Sequence, residues 1–582
     1  MTAVARPLWF GPAERPRFGW VHHPADATVT GAVVLCPPLG RELNGAHSTY
    51  RLLAQRIAAG GRLALRFDYD GAGDSAGEES EPGRLEAWLG SIDDAVGLAH
   101  RLTGMPVALV GMRMGALLAT AAAARNPLVE WLALWDGCSS GRAFVKEQRM
   151  LQLTMFGTVL VRGVPTETPE GMLELPGWQI RTDTAEDLQA LRARQLVCPG
   201  VRAVLVVAKD AAAGTEAGTF PAADIEHQEA VGQEDLLQIE MLDQVVPTGS
   251  LEAVAAWLER RVTCEPSEVV VPHQDDAVIA TADGEVLERH LVLGDLGLFG
   301  IATVPPRRAA DARGQARPPW AVFLTTGNDS HVGPNRIWVD MARRWAGRGV
   351  PCVRVDLSGH GDSPTRPGQR DHVVRAPESF DDVRAVAEAL SPDDPSQVIL
   401  VGLCSGGYQA LDSAVGWTGG RRPVAVYAVN PLLRFAPPEM ARRPVDRRRR
   451  VCRPPHPLSR SSRRLDTGPL RRGLWWGWWL LTHPKPLGRH RGWLQALLDD
   501  GVDVRCICGA WEARPFEDEI KRARPSTRAA VRDRIEVMPE LDHGVIPWAQ
   551  RQYVADVLTD HVVERFATVA QPASEELSWT GG

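Results

Sequence analysis

The most constraining feature of this sequence is a glycine-flanked stretch at residues 402–406, Gly-Leu-Cys-Ser-Gly, which directly follows an apolar run at 398–401. The run has the composition of a buried strand, and the residues after the stretch carry apolar side chains at helical spacing. A strand that turns this sharply into a helix tolerates only glycine two residues before and two residues after the apex. The apex therefore falls on Cys404. Ser405, with Leu403 two residues before it, is the weaker candidate nucleophile.

The length of the chain sets the number of domains to expect. At 582 residues the chain is too long for one ordinary hydrophobic core, so two domains are expected. It is 44% hydrophobic and 24% charged, as is usual for globular proteins in water. The net charge of −7 argues against a general nucleic-acid-binding protein.

The composition favours neither a secreted nor a membrane-spanning protein. No segment reaches the roughly 18 apolar residues of a transmembrane helix, and the first residues lack the apolar core of a signal peptide. The nine cysteines are an odd number without metal-ligand spacing, which favours reduced thiols over a disulfide framework. We therefore expect a cytoplasmic protein without a bound metal.

The two halves of the chain repeat the same order of strand-like runs and glycine-rich motifs. Each copy has an apolar strand, a second strand and a glycine-rich loop ending in Asp-Ser, at 32–35, 63–68 and 71–75 in the first copy and at 321–324, 353–356 and 359–363 in the second. The stretch 107–115 repeats the strand and glycine turn around Cys404. Both copies end with Leu-Asp-x, at 242–244 and 541–543, before a closing helix. Strands that alternate with helices predict βα units on a mostly parallel sheet.

We expect two tandem domains, at residues 1–263 and 264–570, followed by a flexible tail at 571–582. An insertion at about 432–500 in the second domain is rich in arginine and tryptophan. The preferred interpretation is a lid whose tryptophans line a substrate channel. Two alternatives stay open: docking on a membrane surface, or arginines that bind an acidic carrier or phosphate.

We call the tight turn around Cys404 the elbow. The residues after it supply an acid and then a base, so that nucleophile, acid and base follow one another along the chain. A thiol needs a base because the thiolate is the nucleophile. His543 lies in the loop before the closing helix, and Glu512 follows the preceding strand, where an acid would orient the imidazole. Glu517 and Asp518 are alternative acids, and an ordinary surface histidine is the alternative interpretation of His543.

A negative charge that develops on a substrate carbonyl oxygen needs two N–H donors. The backbone N–H of Ser405 is one expected donor, and the loop after the third strand of the second domain, residues 325–331, should supply the other, at Asn328. In the same loop, His331 is assigned to substrate binding or, equally, to a structural role. Trp511, next to the expected acid, is also assigned to substrate binding.

The first domain lacks most of this machinery. Arg113 stands at the position equivalent to Cys404, and Gln244 stands at the position equivalent to His543. Only the position equivalent to Glu512 still has a carboxylic acid, Asp210. Arginine stays protonated and has no lone pair for attack. Pro37 and Pro38, in the oxyanion loop, have no N–H to donate. We expect a scaffold domain, with anion binding by Arg113 as an open alternative.

These motifs resemble the α/β-hydrolase superfamily over nearly the whole chain, twice. The first half is similar to hydrolase-like proteins associated with exosortase and exopolysaccharide loci, in residues 36–42, 67–75 and 134–136. The second half, in residues 332–336 and 356–359, is similar to a branch found beside biosynthetic gene clusters. The resemblance implies two mostly parallel eight-stranded sheets flanked by helices, with lid insertions, and neither metal nor redox cofactor. Cysteine at the apex departs from the usual serine, although dienelactone hydrolases and some thioesterase domains also use cysteine there.

We therefore predict acyl chemistry at Cys404. The acyl-enzyme would be a thioester, which water, amines and thiols attack readily, so a (thio)esterase and an acyltransferase are both expected. The substrate would be a small molecule, or an acyl group on coenzyme A or an acyl carrier protein, in bacterial secondary-metabolite or polysaccharide biosynthesis. The alternative is a non-catalytic scaffold of two such domains. We also expect the domains to pack as an intramolecular pseudo-dimer, because a duplicated fold often keeps its ancestor's subunit contact.

Overall fold

The chain forms two large sheets, one in each half. The computed structural model describes residues 3–156, 168–209, 218–236, 245–305, 318–327, 329–374, 376–417, 420–433 and 492–567. We call residues 3–271 the first half and residues 276–567 the second half. The predicted lid at about 432–500 and the tail at 571–582 lie outside the described residues, apart from 432–433 and 492–500.

The elements of the first half alternate between strands and helices. Its strands are β1 (Ala3–Phe10), β2 (Arg17–Pro24), β3 (Thr28–Val29), β4 (Ala32–Cys36), β5 (Leu63–Phe67), β6 (Val107–Met112), β7 (Val129–Trp135), β8 (Met172–Leu175), β9 (Trp178–Arg181), β10 (Ala203–Ala208) and β11 (Asp224–Glu229). Its helices are α1 (Arg41–Ala59), α2 (Arg84–Thr103), α3 (Met114–Ala123), α4 (Gly141–Phe156), α5 (Thr182–Ala190), α6 (Gln233–Leu236) and α7 (Thr248–Arg261).

The second half follows the same plan. The strands from the connecting segment onward are β12 (Ser267–Glu268), β13 (Asp276–Thr281), β14 (Gly284–Leu293), β15 (Leu298–Val304), β16 (Trp320–Leu324), β17 (Cys352–Val355), β18 (Val398–Leu403), β19 (Ala425–Val429), β20 (Asp503–Cys508) and β21 (Ile535–Val537). The helices are α8 (Ile337–Gly347), α9 (Ser379–Leu390), α10 (Ser405–Gly416), α11 (Trp493–Asp499), α12 (Ala510–Arg522), α13 (Arg528–Arg532) and α14 (Trp548–Phe566).

The two sheets share one topology. The first has eight strands in the order β1-β2-β5-β4-β6-β7-β10-β11, antiparallel as far as β5 and parallel from there on. The second has the equivalent order, β14-β15-β17-β16-β18-β19-β20-β21, with β13 added at its antiparallel edge as a ninth strand. The predicted fold class, tandem α/β-hydrolase sheets flanked by helices, is confirmed. The ninth strand was not predicted.

Both faces of each sheet are covered, which explains why the central strands are continuous apolar runs. Every residue of β6 and β18 is buried. In the first half, α1 and α7 pack on one face and α2 and α3 on the other. Because helices cover the two faces, the edge at the carboxyl ends of the parallel strands is the place where loops can form a site. Both elbows lie at this edge.

The segment after the predicted boundary at residue 263 lies along the first half. Ser267 and Glu268 pair antiparallel with β3, and the Val269 N–H donates to the Ala27 carbonyl oxygen. The assignment of residues 1–263 and 264–570 to two separate folding units stays a prediction.

The halves also contact each other through equivalent residues. Phe18 in β2 and Phe299 in β15 hold matching positions in the two sheets, and their ring centroids lie 6.4 Å apart. They belong to a buried apolar cluster that draws on both halves: Trp9, Phe18, Ala76, Ile279, Val286, Phe299, Ile301 and Ala346. Two ion pairs cross reciprocally beside it, Arg354–Asp74 and Arg66–Asp362. Within the part of the chain that the structure describes, every helix is too short or too polar to cross a bilayer.

Candidate active site

Cys404 lies at the turn between β18 and α10 in a strained backbone conformation, with φ 56° and ψ −115°. A Cβ atom on Gly402 would lie 2.2 Å from the carbonyl carbon of Gly406, and one on Gly406 would lie 2.6 Å from the carbonyl oxygen of Thr325. Both positions therefore require glycine for steric reasons. The tight turn places the thiol at the carboxyl end of the sheet, where its neighbours come from other loops.

The structure brings Cys404, His543 and Glu512 into one chain of hydrogen bonds. The Cys404 Sγ lies 3.0 Å from His543 Nε2, and His543 Nδ1 lies 2.8 Å from Glu512 Oε1. Glu512 is in the first turn of α12, directly after β20. The alternative acid Glu517 instead lies 3.8 Å from Lys521 on the surface of the same helix. These distances are those of a nucleophile, a base and an orienting acid.

The electrostatics of the three groups favour a charged imidazole. Burial opposes that charge, but the hydrogen bonds to Cys404 and Glu512 outweigh it and raise the pKa of His543 to about 10. Burial likewise opposes the Glu512 carboxylate, yet the hydrogen bond from His543 holds the pKa of Glu512 below its usual value. An imidazolium donates from Nδ1 to the carboxylate and from Nε2 to the sulfur. This arrangement suits a thiolate nucleophile.

Asn430 joins the two loops that carry the acid and the base. Its Nδ2 donates to the carbonyl oxygens of Asp542 and His543, at 2.8 and 3.1 Å, and its Oδ1 accepts from the Gly509 N–H at 2.7 Å. The sequence analysis did not identify Asn430. It directly follows β19, as Asp136 directly follows the equivalent strand β7, and both residues have positive φ, a conformation that favours Asn and Asp. An Asn or Asp at this repeated position is the sequence signal that could have marked it.

The loop that carries His543 is fixed from within as well. The Asp542 carboxylate accepts from the N–H groups of Gly544 and Ile546, at 3.0 and 3.1 Å. The Asp542 N–H donates to Gln550 Oε1 at 2.7 Å. Gln550 lies in the first turn of α14, so this hydrogen bond joins the helix to the His543 loop.

Ser405 is placed as the first residue of α10, with its backbone N–H at the positive end of the helix dipole. Its side-chain Oγ accepts from the Gly327 N–H at 2.8 Å and is buried, so the hydroxyl holds the neighbouring loop. That position leaves Cys404, rather than Ser405, beside the imidazole. Asn328, the second expected oxyanion donor, lies outside the described residues.

The structure does not bring His331 to the thiol. His331 is 2% exposed, with Nδ1 2.9 Å from Asp356 and Nε2 2.7 Å from Asp74 of the first half. Burial opposes a charge on this ring, but Asp74 and Asp356 hold its pKa well above the usual range. Carboxylates occupy both ring nitrogens, which favours the structural alternative, and a substrate-binding role for His331 stays a prediction.

Trp511 is 60% exposed at the start of α12, and the Arg514 guanidinium lies 4.7 Å from the centre of its ring. Its role in substrate binding stays a prediction. Among the described residues, no group of three or more His, Cys, Asp or Glu side chains is placed to hold a metal ion.

The first-half elbow has the same shape with different chemistry. Arg113 has φ 55° and ψ −121°, and its guanidinium lies 2.7 Å from Glu147, 3.3 Å from Glu42 and 3.7 Å from Asp136. Burial opposes its charge, but Glu42 and Glu147 hold the pKa above its ordinary value. A further anion would meet these carboxylates, which counts against the anion-binding alternative. Asp210 and Gln244 lie outside the described residues.

Comparison with known proteins finds similarity to hydrolases. Residues 316–472 match the family described as serine aminopeptidase, S33. Est1E from Butyrivibrio proteoclasticus, solved with ferulic acid, is 14% identical, with a TM-score of 0.32 over 44% of this chain and 98% of that chain. The esterase domain of a Rhodothermus marinus protein is 17% identical, with a TM-score of 0.28 over 45% of this chain and 99% of that chain. Comparison with curated proteins gives no match.

The family match over residues 316–472, together with the topology of the sheet, supports an α/β-hydrolase fold. The similarities to these two solved structures are too low to bear on substrate or mechanism. The family's name specifies serine, whereas this chain has Cys404 at the apex of the elbow.

Proposed function

We propose that the second half is a cysteine-dependent enzyme that hydrolyses or transfers an acyl group from an ester or thioester. The observation that carries this proposal is the hydrogen-bonded series from Cys404 Sγ through His543 to Glu512 at the apex of a nucleophile elbow. A neighbouring imidazolium favours the reactive thiolate form of a cysteine, whereas a thiol buried in apolar surroundings is inert.

In the first step the Cys404 thiolate attacks the substrate carbonyl carbon. A C–S bond forms, and the carbonyl π electrons move to the oxygen, whose charge the Ser405 N–H and the α10 dipole stabilise. When the carbonyl re-forms, the C–O or C–S bond to the leaving group breaks. The leaving alkoxide or thiolate takes the proton from His543 Nε2, and a thioester acyl-enzyme remains.

In the second step the neutral His543 acts as general base. It removes a proton from water or from an acceptor alcohol, amine or thiol as that group attacks the acyl-enzyme. The C–S bond to Cys404 then breaks, the thiolate leaves, and the protonated imidazole stabilises it again. Glu512 holds the imidazole tautomer and stabilises its positive charge throughout.

The thioester intermediate explains why cysteine suits this site. Amines and thiols attack a thioester readily, so transfer to a biosynthetic acceptor competes with hydrolysis. Acyl groups on coenzyme A or an acyl carrier protein are the substrate class we propose, in a biosynthetic role. The first half would take no part in bond making, since Arg113 can neither attack a carbonyl nor accept a proton.

Intact-protein mass spectrometry with a panel of short acyl thioesters and activated esters tests this function. We expect an acyl adduct on the wild type that is absent from Cys404→Ala and slow to form in His543→Ala. Cys264→Ala, which removes another partly exposed thiol, should keep the adduct. No adduct with any donor, together with ordinary alkylation rates at Cys404, would favour the scaffold alternative instead.

A further inference from the structure

We propose that the first half is a built-in positioning subunit for the Cys404 site, so that the two halves act as an intramolecular pseudo-dimer. It holds two loops of the second half that complete the site: the loop with His543 and the loop beside Ser405. This inference rests on the proposed function, and it gives a role to a half that has lost its own nucleophile.

The first contact is made by the β8–β9 hairpin of the first half. Glu174 Oε1 accepts a hydrogen bond from the Trp548 N–H at 2.9 Å, and the Gly177 carbonyl oxygen accepts from Arg551 Nη1 at 2.7 Å. Trp548 is the first residue of α14, whose first N–H groups have no partner within the helix. A residue of one half therefore caps a helix of the other.

The capped turn of α14 is hydrogen-bonded to the loop that carries the His543 imidazole. Gln550 in the same helical turn accepts from the Asp542 N–H at 2.7 Å and donates to the Glu540 carbonyl oxygen at 3.2 Å. Asp542 is the neighbour of His543. The hairpin, the first turn of α14 and the His543 loop thus form one hydrogen-bonded path across the boundary between the halves.

The second contact holds the loop between β16 and α8. His331 Nε2 in this loop lies 2.7 Å from Asp74 Oδ2, and Asn44 Nδ2 of α1 lies 3.5 Å from both Asp329 Oδ1 and the Gly333 carbonyl oxygen. Arg336, at the end of the same loop, donates to three first-half carbonyl oxygens, those of Gly73, Ser75 and Gly77. The Gly327 N–H of this loop bonds to Ser405 Oγ, so the loop lies against the elbow.

The charges at this second contact make the halves depend on each other. Asp74 is buried between His331 and Arg354, both of which belong to the second half. Separating the halves would leave these charges without their partners, which costs far more than breaking a surface pair. The contact therefore belongs to the folded state of the whole chain.

Two reactions of Cys404 separate the two contacts. Alkylation by iodoacetamide needs the thiolate and therefore His543, but it forms no oxyanion. Acylation by an activated ester needs both the thiolate and the oxyanion donors. Comparing the two rates in the same full-length variant shows which loop has moved, and thermal unfolding of each variant confirms that it is folded.

For the hairpin, Glu174→Ala should slow alkylation by about tenfold and shift its pH profile, because the cap on α14 is lost. Glu174→Gln keeps an acceptor oxygen and should restore most of the rate. Glu170→Ala removes an exposed carboxylate close by in the chain and should change nothing. A folded Glu174→Ala variant with a wild-type alkylation profile would overturn this part of the proposal.

For the second contact, Asp74→Asn and the milder Asn44→Ala should leave alkylation unchanged but lower kcat for acylation, with little change in KM. Ser48→Ala is the matched control. Ser48 lies in the same helix as Asn44 but contacts His372, which is outside the loop between β16 and α8, so this change should leave both rates unaltered. Wild-type acylation in both folded variants would overturn this part. If the wild type forms no adduct with any donor, the proposed function fails, while the alkylation experiment still tests the hold on His543.

Discussion

The two elbows of this molecule have the same backbone conformation, but their apical side chains contact different groups. Cys404 and Arg113 have φ within 1° and ψ within 6° of each other, taking 56° against 55° and −115° against −121°. In one half the apical side chain lies beside an imidazole. In the other it is bound by the carboxylates of Glu42, Glu147 and Asp136.

The comparison shows that strain at an elbow is a property of the fold and not of catalysis. The glycines around each apex allow a strand to turn into a helix, whichever residue stands at the apex. Strained backbone is often taken as a sign of function, yet here it persists around an arginine that cannot attack a substrate. Contacts of the side chain, and not the backbone angles, separate the two sites.

The largest difference between the elbows should appear on removing the base. His543→Ala is expected to slow acylation of Cys404 by about 10³-fold or more, because the thiol loses the hydrogen-bonded base that accepts its proton. Stopped-flow measurement with an activated thioester gives the rate. Gln244→Ala, at the equivalent sequence position of the first half, is the matched control. An equal loss in both variants would mean that the first half takes part in the chemistry.

Removing Asn430 should have the next largest effect. Asn430→Ala leaves the Gly509 N–H and two carbonyl oxygens without their partner, so we expect an acylation rate about 10²-fold lower. The unfolding free energy should also fall by about 1–3 kcal/mol. Kinetics and urea unfolding measure the two effects. Asp136→Ala, at the equivalent position of the first half, should leave acylation unchanged, and a loss there would break the comparison.

The arginine elbow should respond in stability alone. Arg113→Met leaves Glu42 without its counter-charge, so we expect the unfolding free energy to fall by about 2 kcal/mol with no change in the acylation of Cys404. Combining it with Glu42→Gln should recover part of that loss, since the uncompensated carboxylate is removed. Urea unfolding of both variants, beside acylation assays, provides the check. Slower acylation in a folded Arg113→Met variant would contradict the assignment.

The smallest effect concerns the dependence of stability on pH. The pKa of His543 is raised from about 6.5 to about 10 on folding, so its contribution is fully present below about pH 6.5 and is lost as the pH rises towards 10. The difference in unfolding free energy between wild type and His543→Ala should therefore shrink between pH 6.5 and 10. Urea unfolding at several pH values measures it. A difference that grows with pH would show an imidazole that is neutral in the folded state.

Sequence alone was enough to predict the features that depend on local steric contacts or chain order. Gly402 is required by backbone atoms of Gly406 and Gly407, only a few residues away, so this side of the elbow could be recognised from local sequence, whereas Gly406 is required by the Thr325 carbonyl oxygen from a distant part of the chain. His543 and Glu512 follow particular strands of a known order, and the structure brings them within hydrogen-bonding distance of Cys404 in the expected sequence.

Contacts between distant parts of the chain could not be predicted in this way. His331 meets Asp74, 257 residues away, and no pattern in either segment indicates the other. The carboxylates around Arg113 come from α1, α4 and the end of β7, so their convergence depends on the packing of the whole half. The ninth strand, Asp276–Thr281, is a partly exposed edge strand that lacks a buried apolar run.

The reciprocal pairs Arg354–Asp74 and Arg66–Asp362 have an evolutionary consequence. In a dimer of identical chains two codons, one for the arginine and one for the aspartate, would encode both pairs, and every mutation would alter both pairs at once. In this chain four separate codons encode them. Joining two copies in one chain therefore lets one side of the contact change while the other side is kept.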